Sequence, residues 1–186
     1  MPSPANSTAS LRNVFRRFRG NRRGSAAVEF ALVAPLFFAL LFAIIESAIM
    51  FFANQALESV AQNSARMIMT GQVQSNGWNT AALFKPNAVC NQTLVLFTCP
   101  NIYIDVQSYP AFASVNLASP IDPNGNFVVP TNYSPGGPGD IVVVRLFYQW
   151  QLFVTGLGYN ISNMTGSKRL LAATVAFRNE PYLGGG

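Results

Sequence analysis

Apolar and polar positions divide the chain into three stretches with different periods. Residues 1–24 show no apolar periodicity and end in Gly20-Asn21-Arg22-Arg23-Gly24, the composition of a disordered leader. From Phe30 to Ile45 the chain is apolar without a charge, broken only by Pro35, and apolar residues resume from Ala48 to Ala53 after Glu46 and Ser47. Phe30 to Ile49 supplies the roughly 20 residues that a helix needs to cross the hydrocarbon core of a bilayer. Pro35 removes one backbone donor and should kink or loosen the first turns, which neighbouring helices or water can compensate inside a membrane. Beyond the span, Leu57, Val60, Ala61, Ser64, Ala65 and Ile68 recur at helical spacing, the stripe of an amphipathic helix. Glu58 and Gln62 fall on another face, and Gly71 offers a left-handed stop. One continuous helix from Ala26 to Thr70 would be about 65 Å long.

After Gly71 the composition shifts to Asn, Gly, Pro and β-branched residues. Ile102 to Gln107 alternates apolar with more polar residues as a half-buried strand does, Ile141 to Tyr148 forms a second strand, and Leu171 to Arg178 a third. Shorter candidates are Thr93 to Phe97 and Phe112 to Leu117. Pro130 to Gly139, with Pro135-Gly136-Gly137-Pro138-Gly139, breaks both regular periods and reads as a loop. The expected fold is α+β: a long N-terminal transmembrane and amphipathic helix, then a small antiparallel β-sheet domain with long loops. The expected segments are a cytoplasmic basic leader (1–24), a transmembrane helix (25–53), an exported helical extension (54–72) and an exported, mainly β domain (73–186).

Charge sharpens this picture. The net +5 comes from Arg12, Arg16, Arg17, Arg19, Arg22 and Arg23 of the leader; outside it six basic residues stand against seven acids. The basic pI therefore gives no support to nucleic-acid binding, which needs a basic patch on the folded domain. Arginines before an apolar span stay cytoplasmic under the positive-inside rule, so the C-terminal part is exported. A cleavable secretory signal shares the plan of charged flank and apolar run, but its apolar core is usually about 7 to 15 residues. Here the run is longer, and Glu46 interrupts the small-residue sites near its end.

Cys90 and Cys99 lie in the exported part, where an oxidising compartment lets them pair; a local disulfide is expected, two free thiols being the other outcome. Zinc is disfavoured, because the chain has no histidine and two cysteines fill half a structural site. An enzyme is not expected either: Asp105, Asp122, Asp140 and Glu180 are too scattered to nominate an acid–base pair. Gly156-Leu157-Gly158 opens like a dinucleotide-binding loop, but Ile161 replaces the third glycine, and a turn is the better reading. No cofactor is expected. Trp78, Tyr148, Trp150 and Tyr159 fit core and membrane-interface packing better than an adhesive surface.

Arg22-Arg23-Gly24-Ser25-Ala26-Ala27-Val28-Glu29-Phe30 and the apolar stem that follows resemble the TadE-like minor pseudopilins of tight-adherence (Tad, Flp-type) pilus systems. A second local likeness lies at Arg169 to Tyr182, which ends in the Arg-Asn-Glu-Pro-aromatic pattern common at that family's terminus. The resemblance implies cleavage by a prepilin peptidase after Gly24, making Ser25 the new N-terminus and Glu29 the fifth residue. Glycine suits a cleft that approaches the backbone closely. By analogy with pilins, Glu29 would neutralise the new amine of a neighbouring subunit, a pair that fixes register more than it adds stability. The implied partners are the prepilin peptidase, other Tad pilins or pseudopilins, the pilus assembly platform and membrane lipid. The implied place is the bacterial inner membrane, N-terminus cytoplasmic and C-terminal domain periplasmic, with incorporation into a pilus open. The competing reading is an uncleaved single-pass scaffold or receptor with an exported binding domain. Glu46 lies about 100° around an ideal helix from Glu29, on a different face; it is expected to snorkel to water at the outer membrane boundary, or else to pair with a partner subunit.

Overall fold

The computed structural model describes residues 24–92, 96–154 and 159–181. One helix, α1 (Ser25–Met69), runs unbroken through Pro35. Two compact units divide at residue 42: Met1–Phe42 and Ala43–Gly186.

Within the first unit α1 is apolar on every side, and Phe30, Leu32, Leu36, Phe37, Leu40 and Phe42 are all exposed. A helix apolar all round has no polar face to give to water and is built for an apolar surrounding. By length and composition α1 is the one candidate membrane span among the described residues.

In the second unit the same helix becomes one-sided. Leu57, Val60, Ala61, Ser64, Ala65 and Ile68 are buried, as their spacing requires, while Gln62 stays exposed. Ala53, Ala56, Ala61 and Ala65 keep this face narrow, so the sheet can approach the helix closely. Ser64, the polar member of the stripe, is satisfied by donating its hydroxyl to the Ala88 carbonyl (2.9 Å). The helix stops where expected. Gly71 takes the left-handed conformation (φ 75°) and donates its N–H to the Ile68 carbonyl (3.0 Å), a turn open to glycine at little cost.

Two short helices follow, α2 (Gln72–Ser75) and α3 (Ala81–Phe84), and α3 continues into a single π turn (Lys85–Val89). Three antiparallel strands then form one sheet in the order β1 (Ile102–Tyr109), β2 (Ile141–Gln151), β3 (Lys168–Arg178). The three main strand expectations match these, with β3 beginning earlier, at Lys168, because Lys168 to Leu170 pair with Gln149 to Gln151. Thr93 to Phe97 is corrected in part: residues 93–95 lie outside the described residues, and Leu96 and Phe97 are not in a strand. Phe97 is buried instead, edge-on against Tyr148 with ring centroids 5.0 Å apart. Phe112 to Leu117 is corrected outright. It opens with a 3-10 turn (Phe112–Ser114) and continues as irregular chain, its aromatic and β-branched content being no substitute for a strand to pair with.

Strand alternation assigns the sheet two faces. Ile104 and Val106 of β1, Val144 and Leu146 of β2, and Leu171 and Ala173 of β3 share a core with Leu57, Val60, Ala61 and Ile68. On the opposite face Phe147 and Leu170 cluster with Met164, and Tyr103, Ile121 and Phe127 pack against them. The long β1–β2 connection thus covers a second face of β2, which explains the burial of every residue from Ile141 to Phe147. That connection also flanks β1, where Val106 donates to Asn132 (3.1 Å) and accepts from Ser134 (2.8 Å).

Leu57→Ala should destabilise the second unit by about 2–5 kcal/mol, because Leu57 is fully buried where helix meets sheet. Gln62→Ala on the exposed side should change stability by less than about 0.5 kcal/mol. Urea unfolding of the full chain in detergent micelles, followed by tryptophan fluorescence, measures both.

Candidate processing junction and assembly stem

Gly24 stands immediately before α1, exposed, with open space where a Cβ would be and without a left-handed φ. Among the described residues, neither packing nor backbone conformation calls for glycine at this position. Ser25 and Glu29 are exposed as well, and Glu29 has no hydrogen bond or ion pair among the described residues. Its carboxylate sits one turn into α1, with Val28, Phe30, Leu32 and Val33 exposed around it. An acidic side chain in the first turns of a helix is favoured by the local dipole, but here it has no counter-charge among the described residues. The arginines of residues 1–23 lie outside the described residues.

Glu46 departs from expectation. It is 7% exposed, and its carboxylate accepts the backbone N–H groups of Phe153 and, at 3.1 Å, of Val154. Snorkelling to water and pairing with a partner subunit both give way to a contact within the chain. The next residue repeats the tie: Ser47 donates its hydroxyl to the Ala43 carbonyl (2.8 Å) and also hydrogen-bonds the Tyr159 hydroxyl. Both partners lie more than a hundred residues away in sequence, so local spacing carried no sign of them.

The cysteines are joined: Cys90 and Cys99 form a disulfide with Cα atoms 5.5 Å apart. It ties the 3-10 turn after the π segment to the turn that opens β1, and Lys85 donates to the Pro100 carbonyl (3.0 Å) beside it. Partial burial lowers the Lys85 pKa from its ordinary value. The aromatics nominated for packing serve it, since Trp78, Tyr148 and Trp150 lie against the main core. Tyr133, not singled out by sequence, packs on Phe84 and donates its hydroxyl to the Trp78 carbonyl (2.8 Å), and burial raises its pKa.

Asp105, Asp122 and Asp140 each have hydrogen-bond partners. Asp105 is buried and paired across the β1–β2 ladder with Arg145, whose Nε donates at 2.7 Å. Asn132 (3.2 Å) and Gln107 (3.0 Å) also donate to the Asp105 carboxylate, and Arg145 reaches on to the Ala118 carbonyl (2.9 Å). A sequence signal for this pair existed, because an arginine inside an apolar strand needs a partner once buried. Asp122 accepts the backbone N–H groups of Asn126 (2.7 Å) and Asn124 (2.9 Å), and the Asn126 bond is the main cause of its lowered pKa. Asp140 accepts from the Gly137 N–H (2.8 Å). Glu180 contributes its backbone, donating its N–H to the Met69 carbonyl at the end of α1 (3.0 Å). Beside it Asn179, 2% exposed, donates to the carbonyls of Pro135 and Gly137 (both 3.0 Å), and Arg178 donates to Gly139 (2.9 Å). The Arg178-Asn179-Glu180 run therefore clasps the glycine–proline loop to the helix end. Gly156 to Gly158 and Tyr182 lie outside the described residues.

Asp105→Asn, which leaves Arg145 buried without its counter-charge, should cost about 3–5 kcal/mol in urea unfolding. Replacing the pair together, Asp105→Leu with Arg145→Met, should recover most of that loss. A single variant as stable as the parent would mean that the ion pair is not buried in solution.

Residues 24–66 match the family model of the TadE-like proteins. The stem is therefore TadE-like, consistent with a TadE-like protein of the Tad pilus system, and the match leaves residues 67–186 uncovered. No curated protein and no solved structure matches the chain.

Proposed function

We propose that this chain, TadE-like in its stem, is a minor pseudopilin that acts in assembling or priming a Tad/Flp-type pilus for surface adherence after prepilin peptidase removes its leader at Gly24. The observation that carries the reading is the coincidence of the family match, which begins at residue 24, with a glycine for which the fold itself has no use. A peptidase that draws the backbone into a narrow cleft supplies that use. Cleavage leaves Ser25 as a new N-terminal amine four residues before Glu29, at the head of a helix apolar on all sides.

In a bundle of such helices the exposed Glu29 and the new amine of a neighbouring subunit are complementary. Both groups lie at the start of the apolar run, where an unpaired charge is costly and a paired one sets the axial offset between helices. The helix is the assembly element. The sheet domain, fixed to its upper end by the Leu57–Ile68 stripe, is the part that meets the envelope or other pilus components. α1 anchors the precursor in the inner membrane as a single pass, N-terminus cytoplasmic.

Intact mass and N-terminal sequencing of the protein from membranes, with and without its peptidase, test the reading. The expected product is a peptidase-dependent chain starting at Ser25, and Gly24→Arg should abolish it. A chain starting at Met1 in both strains would favour the uncleaved scaffold. Glu29→Gln should leave membrane insertion and cleavage intact while reducing co-isolation with the other Tad pilins several-fold; unchanged co-isolation would remove Glu29 from assembly.

A further inference from the structure

The second unit carries exposed apolar side chains of its own beside Glu46. Phe153 is 83% exposed, the most exposed large apolar side chain among the described residues. Its backbone N–H is held by Glu46 of α1, so it lies at the height of that residue along the helix. At the same level of α1, Ile44 (58%), Ile45 (43%) and Ile49 (44%) are also exposed, as are Phe51 and Phe52. Counting the roughly 20 residues of a membrane span from Phe30 places Glu46 and Ser47 inside the outer end of the apolar run, not above it. The chain from Leu146 to Ser167, which contains Phe153, has no charged residue.

We propose that the Leu152–Val154 turn is a second membrane contact, seated in the headgroup–acyl boundary of the bilayer, with Glu46 as its internal hydrogen-bond acceptor. The inference rests on the reading of α1 as a membrane span. Non-helical backbone is poorly tolerated near hydrocarbon because its N–H groups go unsatisfied. Here the N–H groups of Phe153 and Val154 are both taken by one carboxylate, and that carboxylate receives two donors in place of water. The same pairing solves both problems, and it explains an acidic residue within the apolar run that is buried against its own domain. Ser47 and Tyr159 add a second polar tie on the next helical residue, and tyrosine is favoured at this depth because one end of its ring is polar. Phe153 faces outward with no protein cover, as an apolar side chain does when lipid provides the cover. Seated this way, the turn fixes the exported unit's height and rotation on the bilayer, which α1 alone would leave to tilt.

The test uses the full chain, disulfide intact, in bilayers of phosphatidylethanolamine and phosphatidylglycerol, with single spin labels on Phe153→Cys, Phe38→Cys and Phe112→Cys. Collision with oxygen, which concentrates in lipid, is compared with collision with a water-soluble nickel chelate. The expected result is a several-fold higher oxygen-to-nickel ratio at positions 153 and 38 than at position 112, which is exposed on the β1–β2 connection. Adding Glu46→Ala should move the 153 label toward the nickel reagent, and Glu46→Gln, which keeps one acceptor oxygen, should move it less. Nickel access at 153 with lipid access at 38 would overturn the inference and leave the span standing. Shielding of 153 from both reagents would overturn it in favour of a contact with a second copy. Nickel access at 38 would remove the span and the inference with it. A 153 label unmoved by Glu46→Ala would overturn the role given to Glu46.

Discussion

The packing of one face of α1 against one face of a three-stranded sheet is the interaction on which the rest depends. A sheet this small has few residues with which to exclude water, and a lone helix has none. Each therefore supplies the other's missing half. The alanines at positions 53, 56, 61 and 65 let the two approach closely, and Leu57, Val60 and Ile68 fill the space between them with Ile104, Val144 and Leu146. The helix is continuous with the apolar stem, so whatever holds the stem also holds the domain's core. A candidate membrane span and a core element are here one piece of secondary structure.

The irregular parts of the second unit are held by polar closures. The Pro130–Gly139 loop turns at Gly136, whose φ of 67° and close approach to Ser108 leave no room for a Cβ without displacing a neighbour. Asn179 and Gln74 then donate to its carbonyls from two directions. Asp105 with Arg145 anchors the earlier part of the same connection through Asn132 and the Ala118 carbonyl. Such hydrogen bonds contribute modestly one by one, but an unpaired member of a buried set is costly, which makes the arrangement specific.

The stem and the three main strands were legible because each is written in a local period. The Leu57-to-Ile68 spacing, the Gly71 stop and the alternation in Ile102 to Gln107 reappear as buried stripe, left-handed turn and β1. Thr93 to Phe97 and Phe112 to Leu117 have strand-like composition without a ladder partner, and partner choice is not a local property. Glu46 shows the same limit at the candidate site. Its place in the apolar run was plain, but its acceptor role depends on backbone groups at Phe153 and Val154. Arg145 was the missed clue, since an arginine amid valines announces a buried partner even when spacing does not say which acid it is. Gly24 and Glu29, by contrast, were readable only as a pattern of residue types, because nothing around them in the fold explains them.

The bond from the Glu180 N–H to the Met69 carbonyl gives the second unit an order of events. The helix end that it closes leaves the ribosome more than a hundred residues before Glu180 does, and β3, whose eleven residues complete the sheet, lies just ahead of it. The contacts that close the core are among the most distant in the chain, and such contacts form slowly. During synthesis the helix face from Leu57 to Ile68 therefore stays half-built until the last strand is made. The stripe that the finished core hides is thus the last part of the helix to be sheltered.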